Sequence, residues 1–543
     1  MPHNLDSTEF SSGPDAVRSP HRNHIRRRRV DTHRSTTMGI THSDVGALTP
    51  DIAQTHTDLR HSLRRFDVPI MILSALISLD MVGEISSFGG ETFTWLVVLA
   101  LLWMVPYGLV TSELGSAFPD EGGLFEWVKR AFGRLPASVA TVMYWSINPL
   151  WIGGSLAFIS TEAWSSFIHP IDAGTGGDYV FKTVFVLIAV AVTLLSMRQA
   201  RAVLKLGTYL KLILAAVFLV TTLVYGIQNG FHGIGSVTWS PTLGGFLGLV
   251  PLLLFSLVGF EVPSQAGGEM QNPQRDVPRG IAMSGFVGLL VYALPVLALL
   301  LVLPTDKITG IGGFMAALDT VFGVYGSAAS ILVKIAVIAF IVALGITGAT
   351  WAMAANRALA VAAGDGGFFP FFAKFDARTG SPLRVGVFTG AIALAFMVVG
   401  VVFSSGDSAA TFTVVLTITI STSLIAYLFV FPAALRLRLN HADTPRPYAV
   451  PGGTVGMAIA SGLATFWAAL GVWVAVFPGT LESLFGLDYA FLDTWKVSRI
   501  RFEVFTLGTL AVLTVIAVTG YLVARASRSK ESITSEDVEA QLS

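Results

Sequence analysis

Carboxylates, glycines and small polar residues interrupt two long apolar stretches of this sequence. Ionisable groups are costly inside an apolar segment, so these carboxylates are candidates for binding an amine or a cation. The interrupting residues are Asp80, Gly83, Glu84, Ser86 and Ser87 in the first stretch, and Ser256, Gly259, Phe260 and Glu261 in the second. Pro263 follows the second group and would break an ordinary helix, because it cannot donate a backbone hydrogen bond. Both groups predict a discontinuous helix beside a substrate site. The alternative is a pair of kinked helices that pack together without a ligand.

Two polar side chains in other apolar stretches are further candidates. A lysine buried in an apolar segment can exchange a proton, or can hold its ammonium group where a coupling cation would otherwise bind. Lys211 is placed for either role, and its alternative is a side chain that extends to the membrane interface. Asn148 precedes Pro149 within the aromatic stretch 144–151 and could line a substrate pocket. Aromatic packing without a ligand is the alternative there.

The composition excludes several classes of protein. The chain has 543 residues, of which 53% are hydrophobic and 13% charged, whereas a soluble protein carries about 25% charged residues. A conventional water-soluble domain is therefore excluded. The 35 basic residues balance the 35 acidic ones, which disfavours a strongly basic protein that binds nucleic acid. The absence of cysteine excludes disulfides, thiolate metal sites and cysteine nucleophiles.

Motifs for soluble chemistry are also missing from the sequence. It has no glycine-rich phosphate-binding loop, and no two histidines share an apolar run at the spacing of metal ligands. We therefore expect no enzymatic activity, no cofactor and no metal site.

Long apolar runs recur from Phe66 onward, and each is close to the roughly 20 residues that a helix needs to cross a bilayer. Lipid offers no hydrogen-bond partner to the backbone, so such runs must be helical. The sequence predicts twelve crossings, at 66–88, 94–114, 136–166, 179–197, 204–226, 244–267, 280–303, 328–361, 384–403, 409–435, 456–477 and 503–524.

Basic residues are distributed unevenly between the two sides of this bundle. The even-numbered connections and the C-terminal tail contain eighteen, whereas the odd-numbered connections contain five. By the positive-inside rule, both termini are predicted to be cytoplasmic. Residues 1–65 carry the run Arg26–Arg29 and have no apolar period, which predicts a disordered basic cytoplasmic tail. Residues 526–543 are predicted to form a second cytoplasmic tail, and Met38 is an alternative start.

Three segments carry a family resemblance. They are Glu121–Val128 (EGGLFEWV), Gly268–Arg279 (GEMQNPQRDVPR) and Asn356–Leu359 (NRAL) with Gly364–Pro370 (GDGGFFP). In sequence and order along the twelve runs, they resemble segments of the amino acid-polyamine-organocation permeases. The resemblance implies an all-α membrane protein of the LeuT-like fold, with a five-plus-five inverted repeat and discontinuous helices 1 and 6. The repeat core would span 66–440, and helices 11 and 12 would lie within 441–525.

The resemblance also implies secondary transport across the cell membrane. The substrate would lie between the unwound parts of helices 1 and 6, with helices 3, 8 and 10 around it. Matched by position, the site falls on Asp80–Ser87 and Ser256–Glu261, and Lys211 and Glu261 are candidates for proton coupling. Helix 1 departs from many amino acid permeases because it lacks a Gly-Ser-Gly break, and its acidic residues are more similar to the polyamine-uptake branch.

Carboxylates in the site favour an amine-bearing substrate. We therefore expect a polyamine or an amino acid as substrate, carried by a proton-coupled symporter through alternating access. The alternatives are an exchanger, or a nutrient sensor that does not transport and reports through its basic tail.

Overall fold

A computed structural model describes residues 63–231, 239–304, 307–308, 312–403, 408–495 and 497–542. The regular elements of these residues are helices. Two isolated β-bridges pair Leu63 with Met270 and Glu121 with Ala266. The predicted tail of residues 1–65 lies outside the described residues, except for its last three.

The α-helices share a bundle in which most residues of the long segments are apolar. In chain order they are α1 (Asp67–Leu76), α2 (Leu79–Ser86), α3 (Glu91–Leu99), α4 (Val105–Ala117), α5 (Gly123–Phe132), α6 (Arg134–Trp151), α7 (Ala157–Phe167), α8 (Gly176–Thr193), α9 (Met197–Asn229), α10 (Leu243–Ser256), α11 (Pro273–Val302), α12 (Gly313–Phe322), α13 (Ala329–Gly364), α14 (Leu383–Phe403), α15 (Ser408–Asn440), α16 (Gly453–Val476), α17 (Thr480–Leu484), α18 (Phe491–Trp495) and α19 (Arg499–Leu542). One turn of π-helix joins α3 to α4 (Ala100–Met104) and another joins α6 to α7 (Ile152–Leu156).

Within the described residues, ten helical segments are long and apolar enough to cross a membrane. The predicted third and sixth crossings are not among these ten. The third corresponds to α6, its π-helical turn and α7, and the sixth contains the shorter apolar helix α10. The membrane-embedded, all-helical architecture predicted from the sequence is thus confirmed. The count of twelve crossings and the inverted repeat stay predictions.

Helix α1 packs against α9, α11 and α13. Close approach elsewhere depends on small residues. In the π-helical turn Ile152–Leu156, a Cβ atom on Gly153 would lie 2.0 Å from the carbonyl oxygen of Ala393, and one on Gly154 would lie 2.3 Å from Val415. Only glycine lets this turn pack directly against α14 and α15. The third crossing is thereby held against the ninth and tenth.

Candidate functional site

The first predicted break is present between α1 and α2. Ile77 and Ser78 are extended rather than helical. A continuous helix would bond the backbone N–H groups of residues 78–80 to the carbonyls four residues earlier. The break therefore leaves the carbonyls of Ser74, Ala75 and Leu76 without helical donors.

Side chains of three other helices supply the missing donors. They belong to α9, α13 and α11, and the bonds are Lys211 Nζ to Ser74 O at 2.6 Å, Trp351 Nε1 to Ala75 O at 3.0 Å and Tyr292 Oη to Leu76 O at 2.9 Å. The hydroxyl of Tyr292 also accepts the N–H of Ser78 at 3.1 Å. An unsatisfied buried backbone group costs about 1–3 kcal/mol. These side chains therefore stabilise the unwound backbone.

Asp80 is the second residue of α2, next to this break, and is 1% exposed. The hydroxyl of Ser78 donates a hydrogen bond to its Oδ1. Its Oδ2 is buried and has no hydrogen-bond partner among the described residues. The ammonium group of Lys211 is bonded to the carbonyl of Ser74 and forms no ion pair with this carboxylate among the described residues. Asp80 thus keeps an acceptor oxygen that an amine could use.

The second predicted break follows α10, which ends at Ser256. Gly259 has a φ of +131°, a conformation that side chains disfavour. A Cβ atom there would lie 3.3 Å from the backbone nitrogen of Leu76, so the two breaks are in direct contact. The hydroxyl of Tyr107 accepts the freed N–H groups of Gly259 and Phe260, each at 2.9 Å.

Glu261 follows this break and is 1% exposed. Three tyrosine hydroxyls donate to its carboxylate. Tyr107 of α4 bonds to Oε2, while Tyr144 of α6 and Tyr427 of α15 bond to Oε1 at 3.0 and 2.9 Å. A carboxylate can accept several hydrogen bonds, whereas an amide oxygen accepts fewer. Glu261 therefore ties the broken sixth segment to the second, third and tenth.

A small central cavity lies where the two breaks meet. Its lining residues are Ala75, Leu76, Ser78, Met81, Trp151, Phe255, Ser256, Val258, Tyr292 and Trp351. Its volume is about 10 Å³, about the space that one water requires. The broken helices and four aromatic side chains, those of Trp151, Phe255, Tyr292 and Trp351, thus close the site.

The predicted site residues occupy different positions around this central cavity. Ser256 lines it, and Asp80 lies in the chain between the lining residues Ser78 and Met81. Gly259 and Glu261 lie at the second break. Phe260 packs on the ring of Tyr107, with centroids 5.0 Å apart. The remaining predicted residues do not line the cavity.

Those remaining residues make contacts inside the helices. Ser86 and Ser87 donate to the backbone carbonyls of Val82 and Glu84, each at 2.7 Å. Gly83 lies beside Gly313 of α12. Asn148 donates to the carbonyl of Trp145 at 3.1 Å, and its buried Oδ1 has no partner among the described residues. Their roles in binding substrate stay predictions.

Glu84 points to a second cavity, which we call the outer cavity. It has a volume of about 240 Å³ and is lined by residues of α2, α10, α15 and the chain after α16, including Glu84, Leu252, Glu482, Tyr489 and Trp495. It lies toward the side of the bundle that the charge pattern of the sequence predicts to be extracellular.

The opposite end of the bundle is closed by an ion-pair network. Arg357 of α13 is 3% exposed and bonds to Glu121 at 2.7 Å, to Glu269 at 2.6 Å and to the carbonyl of Gly380 at 3.1 Å. These partners belong to connections after α4, α10 and α13. The network therefore holds together chain segments that lie beneath the two breaks.

Sequence reasoning did not identify several of the residues that build the site. Tyr107, Tyr292, Trp351 and Tyr427 are single aromatic residues in apolar runs, where nothing in the local sequence separates them from packing residues. Trp151 ends the aromatic stretch that was a candidate pocket wall, and it does line the central cavity. Among the described residues, no group of three acidic, histidine or cysteine side chains is arranged to hold a metal ion.

Comparison with solved structures gives the same fold. The chain is similar to the manganese transporter of Eremococcus coleocola, with a TM-score of 0.53, 12% identity, and coverage of 87% of this chain and 99% of that one. A mutant of the same transporter gives a TM-score of 0.53 at 13% identity with the same coverage. This likeness confirms the transporter fold predicted from the sequence.

Sequence relatives are also transporters. One, from Lactococcus lactis and named "probable agmatine/putrescine antiporter", is 26% identical over 71% of this chain and 82% of that protein. Another, from Legionella pneumophila and named "uncharacterized transporter", is 28% identical over 75% of this chain and 88% of that protein. The family model described as "Amino acid permease" matches residues 63–485. The chain is therefore a multi-pass membrane transporter that belongs to the amino acid permease family.

Proposed function

We propose that the chain carries amines or amino acids across the cell membrane as a secondary transporter that works by alternating access. The observation that supports this most directly is the contact between two broken helices at a closed cavity. Freed backbone groups and buried acidic side chains meet there, which is the usual arrangement of a substrate site in transporters with discontinuous helices.

An amine-bearing substrate fits the charges near the cavity. Asp80 and Glu261 are both buried beside the breaks, and Oδ2 of Asp80 has no hydrogen-bond partner among the described residues. A buried carboxylate is costly unless a donor or a cation satisfies it, so an ammonium group would be stabilised here. The name of the Lactococcus relative, an agmatine/putrescine antiporter, supports the same class of substrate. An amino acid would use its own ammonium group in the same way.

Lys211 and Glu261 are the proposed coupling residues. The ammonium group of Lys211 is bonded to a carbonyl freed by the first break, and freed carbonyls of this kind coordinate coupling cations in related architectures. A lysine in that position replaces such a cation and makes proton coupling the simplest scheme. Exchange of one substrate for another is the second candidate, favoured by the antiporter name of the Lactococcus relative.

The test is uptake into proteoliposomes. The purified protein is reconstituted, and labelled putrescine, arginine, glutamate and leucine are supplied with and without an inward proton gradient. Uptake of one class that the gradient stimulates supports proton-coupled transport and identifies the substrate. Uptake that requires preloaded substrate and ignores the gradient supports exchange. No flux of any amine or amino acid under either condition contradicts the proposal.

A further inference from the structure

The outer cavity contains a buried carboxylate that the amino-acid sequence did not single out. Glu482 lies in the short helix α17 and is 4% exposed. Its side chain has no hydrogen bond and no ion pair within the part of the chain that the structure describes, and it lines the outer cavity. A buried carboxylate without a partner is strongly disfavoured. A cation or a hydrogen-bond donor inside the outer cavity would therefore stabilise this carboxylate.

A second carboxylate lines the same space. Glu84 of α2 also lines the cavity, and its side chain likewise has no hydrogen bond or ion pair among the described residues. Two acidic side chains that share a largely apolar cavity repel each other unless a positive charge lies between them. Their placement thus favours a cationic ligand over a neutral one.

Aromatic rings complete the wall. Tyr489 and Trp495 line the outer cavity, and the indole nitrogen of Trp495 donates to the hydroxyl of Tyr489 at 2.7 Å, which holds the two rings together. Aromatic faces attract alkylammonium groups through cation–π interactions. The volume of about 240 Å³ lies just below the roughly 300–1,000 Å³ of typical ligand pockets, and suits a small molecule.

The outer cavity is one helical turn away from the central cavity along two helices. On α2, Met81 lines the central cavity and Glu84 the outer one; on α10, Phe255 lines the central cavity and Leu252 the outer one. Three residues of helix correspond to about 4.5 Å. A ligand in the outer cavity would therefore be separated from the central cavity by a single layer of side chains, which includes Phe255.

We propose that Glu84 and Glu482 form an outer binding site for alkyl amines, where the substrate waits before it enters the central cavity. The ammonium group is held between the two carboxylates, and the alkyl chain lies against the rings of Tyr489 and Trp495. This proposal rests on the proposed transport function, because it concerns the path by which the same substrate approaches.

Two measurements on the purified full-length protein test the site. The first is equilibrium binding of labelled putrescine in detergent, and the second is the KM and maximal rate of putrescine uptake into proteoliposomes. Removing one of two carboxylates weakens a charge-assisted contact, so Glu482→Gln and Glu84→Gln should each raise the KM about tenfold. The maximal rate should stay close to that of the parent, because the central cavity is unchanged. Asp172→Asn, at an exposed acid on the same predicted face, should change neither value.

The two readouts separate failure of the site from failure of the transport proposal. If Glu482→Gln is folded, binds putrescine as the parent does and keeps the parental KM, the outer site is wrong while transport stands. A reduced maximal rate with an unchanged KM would also overturn it, because that result indicates a structural effect. If the parent binds putrescine and Glu482→Gln does not, but the parent shows no flux of any amine or amino acid, the site stands and the transport proposal fails. Absence of putrescine binding in a parent protein that takes up an amino acid overturns the outer site and leaves transport standing, whereas absence of binding and uptake for every amine and amino acid overturns both proposals.

Discussion

The hydroxyl of Tyr292 forms hydrogen bonds with the two backbone groups that flank Ile77 and that lack helical partners at the first break. Its hydroxyl donates to the carbonyl of Leu76 and accepts the N–H of Ser78. Both bonds hold backbone that borders the central cavity, because Leu76, Ser78 and Tyr292 all line it. A single oxygen atom thus fixes the geometry of an unwound segment that sequence alone identifies only as interrupted.

Tyr292→Phe removes this oxygen while it keeps the ring. Two buried backbone groups then lose their partner, at a cost of about 1–3 kcal/mol each. We expect putrescine or amino acid uptake to fall at least about tenfold, with a protein that remains folded. Proteoliposome uptake measures the effect, and Tyr209→Phe, at an exposed tyrosine of α9, is the matched control. Parental uptake by Tyr292→Phe would show that the hydroxyl is dispensable.

Glu261 makes a different kind of contact, because it joins separate helices through one carboxylate. Glu261→Gln preserves the size of the side chain but replaces one carboxylate oxygen with an amide NH2 group. That group donates hydrogen bonds and cannot accept one from a tyrosine hydroxyl. We expect uptake to be abolished or strongly impaired while folding is retained. Initial rates of uptake and melting curves check both parts. Glu162→Gln, at a partly buried glutamate of α7, should transport normally, and normal uptake by Glu261→Gln would remove this residue from the mechanism.

At the scale of elements, the connections at the predicted cytoplasmic end determine whether the bundle can open there. Arg357 holds the segments after α4 and α10 together beneath the breaks, and Gly122 donates a backbone hydrogen bond to the carbonyl of Gln265 at 3.1 Å in the same layer. In the proposed alternating-access cycle, these contacts would have to separate before substrate leaves at this end. The network therefore stabilises the closed arrangement of that end.

Arg357→Gln should shift the bundle toward an arrangement open at this end. The sequence has no cysteine, so a single Ser264→Cys reports accessibility in an otherwise unmodified background. Ser264 lies in the chain between the second break and Glu269 of the network, and it is 2% exposed. We expect a membrane-impermeant maleimide to label this cysteine several-fold faster in the Arg357→Gln protein. Arg378→Gln, at an exposed arginine of the same region, is the control. Equal labelling rates in both proteins would show that Arg357 does not hold this end closed.

A second ion-pair network joins other helices at the same end. Asp365 follows α13 and bonds to Lys129 of α5 at 3.0 Å and to Arg134 of α6 at 2.7 Å, and its carbonyl accepts from Arg528 of α19 at 3.1 Å. Burial raises the pKa of Asp365, but the hydrogen bonds from Arg134 and Lys129 outweigh burial and lower the pKa. The charged carboxylate therefore stabilises the folded protein.

The sign of this pKa shift predicts a pH dependence. A folded-state pKa below the ordinary aspartate value of about 3.9 means that the stabilisation is complete at neutral pH and is lost as the pH falls below about 4. Asp365→Asn should reduce the free energy of unfolding by about 1 kcal/mol at pH 7, and the difference from the parent should shrink in acid. Melting curves at pH 7 and pH 3.5 measure it. Asp443→Asn, at an exposed aspartate, should show no such difference; a penalty for Asp365→Asn that is the same at both pH values would contradict the assignment.

At the scale of the whole molecule, the contacts of the described bundle begin at Leu63, shortly before α1. Leu63 forms a parallel bridge with Met270: its N–H donates to the carbonyl of Glu269 and its carbonyl accepts the N–H of Gln271, each at 3.0 Å. These bonds connect the entry to α1 with the segment after the second break. The binding cavities, the breaks and both ion-pair networks lie after this point in the chain. A transporter should therefore work without the residues that precede it.

Deletion of residues 1–60 distinguishes the transport proposal from the alternative that the chain is a nutrient sensor. We expect the shortened protein to keep the uptake rate of the full chain in proteoliposomes, since every group that the transport proposal uses remains. A sensor that reports through the basic tail would lose its signal and would show no flux in either form. Loss of uptake by a shortened protein that melts at the parental temperature would contradict the assignment of transport to the bundle alone.

The sequence by itself determined the class of protein, the two breaks and the acidic residues near them. These features follow from local composition: apolar runs must form helices in lipid, and the carboxylate and glycine clusters interrupt two of them. The tertiary structure decided which groups complete the site. Tyr292 and Trp351 lie more than a hundred residues from the carbonyls that they bond, so no local pattern indicates them. Lys211 was a candidate from the sequence, but its bond to the carbonyl of Ser74 depends on the same distant packing.

Tertiary packing also separated the acidic residues that the sequence had grouped together. Asp80 and Glu84 are one helical turn apart in α2, yet Asp80 lies at the first break, whereas Glu84 faces the outer cavity with Glu482. Spacing along a helix gives the side chains a common face but not the cavity that each one meets. That depends on the helices packed opposite, which are distant in sequence and whose positions only the folded bundle fixes.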